Sequence, residues 1–203
     1  NIYNIHNLHN SDNGALVRYK GETIVKTPMD YNLAIEIAKD IISVPNCEVL
    51  LSGEKTAYIM PKTEEYLIRM TKVVQYKTTI IKSLDEIQED ILKVSVCDLS
   101  GIANSEKYFA DKWSDKAAAA VSGDQYMDFM DLCVSKGDAL KKVQKIYGID
   151  RSECMAFGDN YNDCEMLKQA EFSYAMASAA DDIKKNALYV TDSVEKILRG
   201  ELL

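Results

Sequence analysis

The amino-acid sequence predicts an α/β protein built in two parts, and three observations carry that expectation. From Ser135 onward, short apolar runs and amphipathic stretches alternate strictly, the order of a parallel sheet covered by helices on both faces. Before that point hairpin signals and helical stretches are mixed, as in an α+β unit on an antiparallel sheet. A chain of 203 residues with 47% hydrophobic content is also long and apolar enough to bury a sizeable core.

The elements follow in order. The first ten residues, NIYNIHNLHN, repeat Asn at every third position, suit neither strand alternation nor a good helix, and are read as a leader without an assigned role. That includes His6 and His9, the only histidines, so no histidine-based catalysis is expected. ALVRY and ETIVK flank Lys20-Gly21 as a hairpin. Leu33, Ile35, Ile37, Ala38, Ile41 and Ile42 recur at helical spacing between Asp30 and Pro45. CEVLL and TAYIM form a second hairpin around Ser52-Gly53. A helix runs from Glu64 to Val74, ILKVSVCDL is a strand, Ser105 to Trp113 a helix, and AAAAV and QYMDFMDL two further strands. GDALKKVQKIYG is then a helix with Leu140, Val143, Ile146 and Tyr147 on one face and Gly148 as its C-terminal cap. CMAF, FSYAM and LYV are strands separated by the helices NDCEMLKQA and AADDIKKNA, and SVEKILRG is the last helix.

Composition excludes several classes. Thirty-two acidic against 24 basic residues give a net charge of −8, which argues against a general binder of nucleic-acid backbones. Five scattered cysteines without a C-x-x-C pair indicate neither a disulfide framework nor a zinc site, and a reducing cytoplasm fits them best. Apolar runs fall far short of the ~20 residues that cross a bilayer, and the N-terminus has no signal-peptide pattern. No nucleic-acid or membrane partner is expected, and oligomeric state is not read from the sequence.

Two places concentrate chemistry. In AFGDNYNDCEML, Asp159 falls at a strand exit and Asp163 about one helical turn later, with Gly158 allowing close backbone approach, so both carboxylates can face one point. Ligands of parallel sheets gather at the carboxyl ends of strands. Two hard oxygen ligands without imidazole or thiolate suit Mg2+. Helix capping by Asp159 or Asn160 would account for one polar residue there, not for four around a glycine. The second place is Lys136 at a helix start, where a cation is unfavourable unless an anion joins it; Ser135, Gly137 and the exposed N–H groups of that turn would accompany a phosphate.

Taken together, SKGDAL, AFGDNYNDCEML and SYAMASAADDIK resemble the third and fourth motifs of the haloacid dehalogenase (HAD) superfamily, with the Cof-type phosphatase branch the nearest match. SDNGALVRYKGETI resembles the segment by which that branch enters its mobile cap. The resemblance implies a partial HAD-like Rossmannoid core with a parallel sheet plus an inserted α+β cap domain. Residues 1–25 would be the leader and the segment entering the cap, 26–126 the cap, and 127–203 the core with motifs three and four. It further implies that Lys136 steadies the phosphoryl group and the nucleophile, Asp159 ligates Mg2+, Asp163 supports the metal site and Asn162 contacts the substrate phosphate. The activity implied is Mg2+-dependent hydrolysis of small phosphorylated metabolites, such as sugar phosphates, through an aspartyl-phosphate.

The sequence also departs from the family pattern. The D-x-D-G-T sequence that carries the nucleophile is not among the 203 residues; Asp12-Asn13-Gly14 comes nearest and lacks the second acid. The second motif's Thr or Ser is missing too, Ala177-Ser178 replaces Gly-Asn, and no Asp-Gly-Val precedes the last helix. The chain is therefore expected to be a fragment, or an incompletely recorded sequence, of a longer phosphatase, with CMAF exposed as an apolar edge. The alternative expectation is a phosphate- and Mg2+-binding module without catalysis.

Overall fold

The structure is a computed structural model that describes residues 8–73 and 77–200. His6 and most of the predicted leader lie outside the described residues. The chain divides into two compact units, one formed by residues 1–25 and 134–203 and the other by Lys26–Cys133.

The first unit opens with β1 (Leu8–Ser11), β2 (Leu16–Tyr19) and β3 (Glu22–Lys26), a three-stranded sheet in that order. The end of the Asn-rich leader is thus a strand, antiparallel to β2 from Leu8↔Tyr19 to Ser11↔Leu16. Its sequence lacks clean alternation, and its pairing with β2 is what defines it as a strand. The β2–β3 turn has Lys20 and Gly21 at φ 51° and 86°, the left-handed pair of a two-residue hairpin.

The second unit runs through α1 (Tyr31–Ser43), β4 (Cys47–Ser52), β5 (Ala57–Ile59), α2 (Glu64–Ile68), β6 (Thr78–Ile80), β7 (Lys93–Asp98), α3 (Glu106–Trp113), β8 (Ala118–Gly123) and β9 (Tyr126–Met130). Its six-stranded sheet has the order β6-β5-β4-β7-β9-β8. Ala34, Ile37, Ala38 and Ile41 of α1 join Val49, Leu51, Val94, Val96, Met127 and Phe129 in one core, which takes alternate residues of β4, β7 and β9. The other face packs Leu50 and Cys97 against Tyr66 and Met70. Coverage on both faces explains why all six residues of β4 are buried.

One expectation is corrected here, and one strand was not anticipated. The boundary expected after residue 126 falls at the start of β9, which pairs with both β7 and β8, so the unit extends to Cys133. The short β6, parallel to β5, has only three residues and no readable alternation.

The chain then returns to the first unit with α4 (Lys136–Tyr147), β10 (Met155–Gly158), α5 (Cys164–Gln169), β11 (Phe172–Met176), α6 (Asp181–Lys184), β12 (Tyr189–Thr191) and α7 (Val194–Leu198). β10, β11 and β12 form a parallel sheet in chain order, as the alternation predicts. Among the described residues β10 has β11 as its one neighbour, which leaves it at the sheet edge with Met155 44% exposed.

Helix α4 ends as expected at Gly148, left-handed at φ 63°, and its start is capped by Ser135, whose Oγ accepts from Asp138 N at 3.0 Å. Its buried stripe differs from the predicted one. Gly137, Ala139, Val143 and Gln144 are buried, whereas Ile146 and Tyr147 are exposed. Ala139 and Val143 meet Val17 and Val25 of the hairpin. Gln144 tolerates burial because its amide donates to Gln169 O at 3.3 Å and accepts from Gln169 Nε2 at 2.6 Å. A hydropathy pattern cannot register a polar residue that is satisfied in this way.

Candidate active site

The site forms where β10 ends. Asp159 and Asn160 leave the strand, a short 3-10 turn at Tyr161–Asp163 follows, and α5 begins. Asn160 caps this turn, its Oδ1 accepting from Tyr161 N at 2.8 Å. Asp163 curls back toward the strand, and its Oδ2 accepts from the backbone N–H groups of Asp159 at 3.0 Å and Asn160 at 3.1 Å. The second oxygen, Oδ1, accepts from Lys136 Nζ at 2.5 Å.

Glycine makes that geometry possible. A Cβ on Gly158 would lie 2.5 Å from Asp163 Cβ, a contact that no rotamer change relieves. A Cβ on Gly137 would lie 2.6 Å from the Glu165 carbonyl carbon, so the first turn of α4 rests directly on α5. Lys136 is thereby held at the positive end of its own helix, and the anion that such a placement needs is Asp163. Asp163 is 4% exposed. Burial pushes its carboxyl up, but the Lys136 hydrogen bond, the two backbone donors and the Lys136 charge outweigh that and hold it below the ordinary carboxylate value.

The structure thus brings Lys136 and Asp163 into direct contact and ties Asp159 to them through its backbone. The Asp159 side chain is exposed, and among the described residues no hydrogen bond or ion pair engages its carboxylate. The two acids expected to face one point therefore differ in availability: Asp163 has both oxygens occupied by donors, while Asp159 is open. Among the described residues no group of three or more His, Cys, Asp or Glu side chains could hold a metal ion.

Asn162 is exposed and donates from Nδ2 to Asn13 Oδ1 at 3.0 Å. Asn13 was not expected here. It lies in the 3-10 turn Asp12–Gly14 with φ 55° and ψ 22°, and Gly14 at φ 109° approaches so closely that a Cβ there would be 2.4 Å from Ser135 O. The Asn-Gly pair, which favours left-handed backbone, was the available signal. Its contact with Asn162 spans 149 residues of sequence, which no local pattern reveals.

A parallel sheet with acids at a strand's carboxyl end and a lysine-headed helix beside them defines an α/β class that binds ligands at the carboxyl ends of its strands. The chain belongs to the haloacid dehalogenase-like hydrolases, whose family model matches residues 3–197. It is similar to a 5-amino-6-(5-phospho-D-ribitylamino)uracil phosphatase of Escherichia coli, with 25% identity over 94% of this chain and 74% of that one. A solved Streptococcus mutans structure matches with TM-score 0.78 and 26% identity over 96% of this chain and 76% of that one. A subclass IIB sugar phosphatase of the same superfamily superposes with TM-score 0.76 and 18% identity over 93% of this chain and 73% of that one, which speaks for the fold alone. Among the described residues, no helix is long and apolar enough to cross a membrane.

Proposed function

We propose that this chain carries phosphate- and metal-binding residues of a Mg2+-dependent phosphatase acting on small phosphorylated metabolites such as sugar phosphates. The observation that carries this reading is the Lys136–Asp163 pair, in which Asp163 holds both an ammonium group at a helix start and the backbone of Asp159, whose carboxylate is open. Family membership and the phosphatase relatives support the reaction class. All five cysteines are free, which suits a reducing cytoplasm as its compartment.

The donor set fits Mg2+, which is held through one or two carboxylates and takes its remaining ligands from water and phosphate oxygens. Asp159 would hold it directly. Asp163, with both oxygens committed, would act by fixing the backbone of Asp159 and the position of Lys136. When bound, the ion supplies charge neutralisation for the phosphoryl oxygens. Lys136 Nζ has donors beyond the one given to Asp163 and would bind a phosphoryl oxygen, and the Asn162 amide would orient the same group.

The test is hydrolysis of an aryl phosphate by the protein as its gene encodes it. Asp159→Ala should abolish Mg2+-dependent turnover, and Lys136→Met should lower kcat by about a hundredfold or more, the scale of losing one preorganised charge contact. Unchanged Mg2+-dependent hydrolysis by Asp159→Ala would overturn the reading.

A further inference from the structure

A cavity of about 450 Å³ lies within the second unit, where β7 ends and the β8–β9 hairpin turns. Its walls include Arg69, Ser100, Gly101, Asp124, Gln125 and Tyr126, none of which belongs to the Lys136–Asp163 site. Arg69 opens a π turn, Arg69–Val73, that continues α2. Such wide turns shift a side chain out of the ordinary helical register and recur at functional positions.

The Arg69 Nε is buried and has no hydrogen-bond partner. Among the described residues no carboxylate forms an ion pair with its guanidinium. The group lies over the Tyr126 ring, 5.7 Å from its centroid. The neighbouring Gln125 amide donates to Leu99 O at 2.6 Å, and among the described residues its oxygen accepts no hydrogen bond from Arg69 Nε. A buried donor is seldom left open in a folded protein, and a guanidinium edge is the planar fork that two carboxylate oxygens match. Asp124, exposed on the same cavity and unpaired with Arg69, would repel a phosphate dianion but would accept from a hydroxyl or ammonium group.

We propose that this cavity binds a small monocarboxylate bearing a hydroxyl or amino group beside the carboxylate, with the carboxylate on Arg69 and the neighbouring donor on Asp124. The site is separate from the phosphatase reading and does not depend on it.

The experiment follows the backbone amides of Gly101, Gly123 and Gln125 by two-dimensional NMR during titration with sodium L-lactate, sodium acetate and inorganic phosphate at constant ionic strength. Saturable shifts are expected with lactate, weaker ones with acetate and none with phosphate. Arg69→Met should abolish them, and Arg69→Lys, which keeps the charge but not the fork, should weaken binding by about tenfold. Asp124→Asn should erase the preference for lactate over acetate while leaving the acetate shifts. Unchanged amides in β4 and β7 would show that the variants are folded. No saturable shift at millimolar lactate, the same shifts in Arg69→Met, or stronger binding of phosphate would each overturn the proposal.

Discussion

The Asp163→Asn substitution isolates what the buried carboxylate does, because the amide is nearly isosteric and the donors around it are known. Asp163 Oδ1 faces the Lys136 ammonium, and Oδ2 faces two backbone N–H groups. Asparagine offers one acceptor oxygen and one NH2 group. Whichever way the amide turns, a donor faces a donor. With its oxygen toward the backbone pair, the NH2 group opposes Lys136 and the ion pair is lost; turned over, it opposes two N–H groups. Hydrogen bonds to charged groups contribute about 1.5–3 kcal/mol each, and the pair's share falls at the low end because the Lys136 side chain is 29% exposed. The loss comes to about 2–4 kcal/mol, or about 1–2 M in urea midpoint at a slope of about 2 kcal/mol per M.

Tryptophan fluorescence is the wrong probe, since Trp113 belongs to the other unit. Hydrogen-exchange protection of Ser173, Tyr174 and Ala175, buried on β11, reports the affected sheet as urea rises. The sign of the pH dependence is fixed as well. The Asp163 pKa is lowered in the folded state, so its contribution is present above the ordinary value of 3.8 and is lost as pH falls through the lower folded value. The gap between wild type and Asp163→Asn should therefore close below pH 3.8. An unchanged urea midpoint, or a gap that stays constant down to about pH 2, would refute this account of the site.

Three other outcomes follow from the same contacts. Gly158→Ala places a methyl 2.5 Å from Asp163 Cβ and should destabilise the first unit by about 1–3 kcal/mol; protection of β11 amides equal to wild type would count against it. Asp159→Ala removes an exposed carboxylate without a partner, so stability should stay within about 0.5 kcal/mol while the Mg2+ response is lost, and a large stability loss would show that the side chain is structural. In the other unit, Asp40 accepts from Trp113 Nε1 at 2.8 Å and Tyr108 OH at 2.9 Å; Asp40→Ala should lower stability by about 1–3 kcal/mol and shift Trp113 emission to longer wavelength, and unchanged emission would contradict it.

What the sequence made legible was local. Gly148 ends α4 because its C-terminal cap needs left-handed backbone, a single-residue property. The strands CMAF and FSYAM were readable because a parallel strand is a short apolar run between helices. What escaped was decided at a distance. Leu8–Ser11 is a strand because β2 lies beside it, and Met127–Met130 belong to the second unit because β7 and β8 pair with them. The exposed Ile146 and buried Gln144 reverse the hydropathy of their helix through partners on α5 and the hairpin. At the site, Lys136, Asp159 and Asp163 could be named from their places in the sequence and Asn162 from the family resemblance, but neither could separate an open carboxylate from a locked one.

That separation comes from Gly158. With a side chain at this position Asp163 could not turn back over the strand end, and both acids of the G-D-x-x-x-D pattern would point outward. With glycine there, Asp163 closes on the two N–H groups that follow the strand and neutralises Lys136 at the same time. The peptide carrying Asp159 is held by a side chain four residues later, while its carboxylate is left open. A rigid peptide with an open carboxylate is what a weakly held cation requires, because ligand direction is then set before the ion arrives and binding orders only one side chain. On the proposed reading the second acid would serve the metal site by remaining off the metal. Asp163→Asn should accordingly weaken Mg2+ binding through misplacement of Asp159, although the substituted residue need never touch the ion.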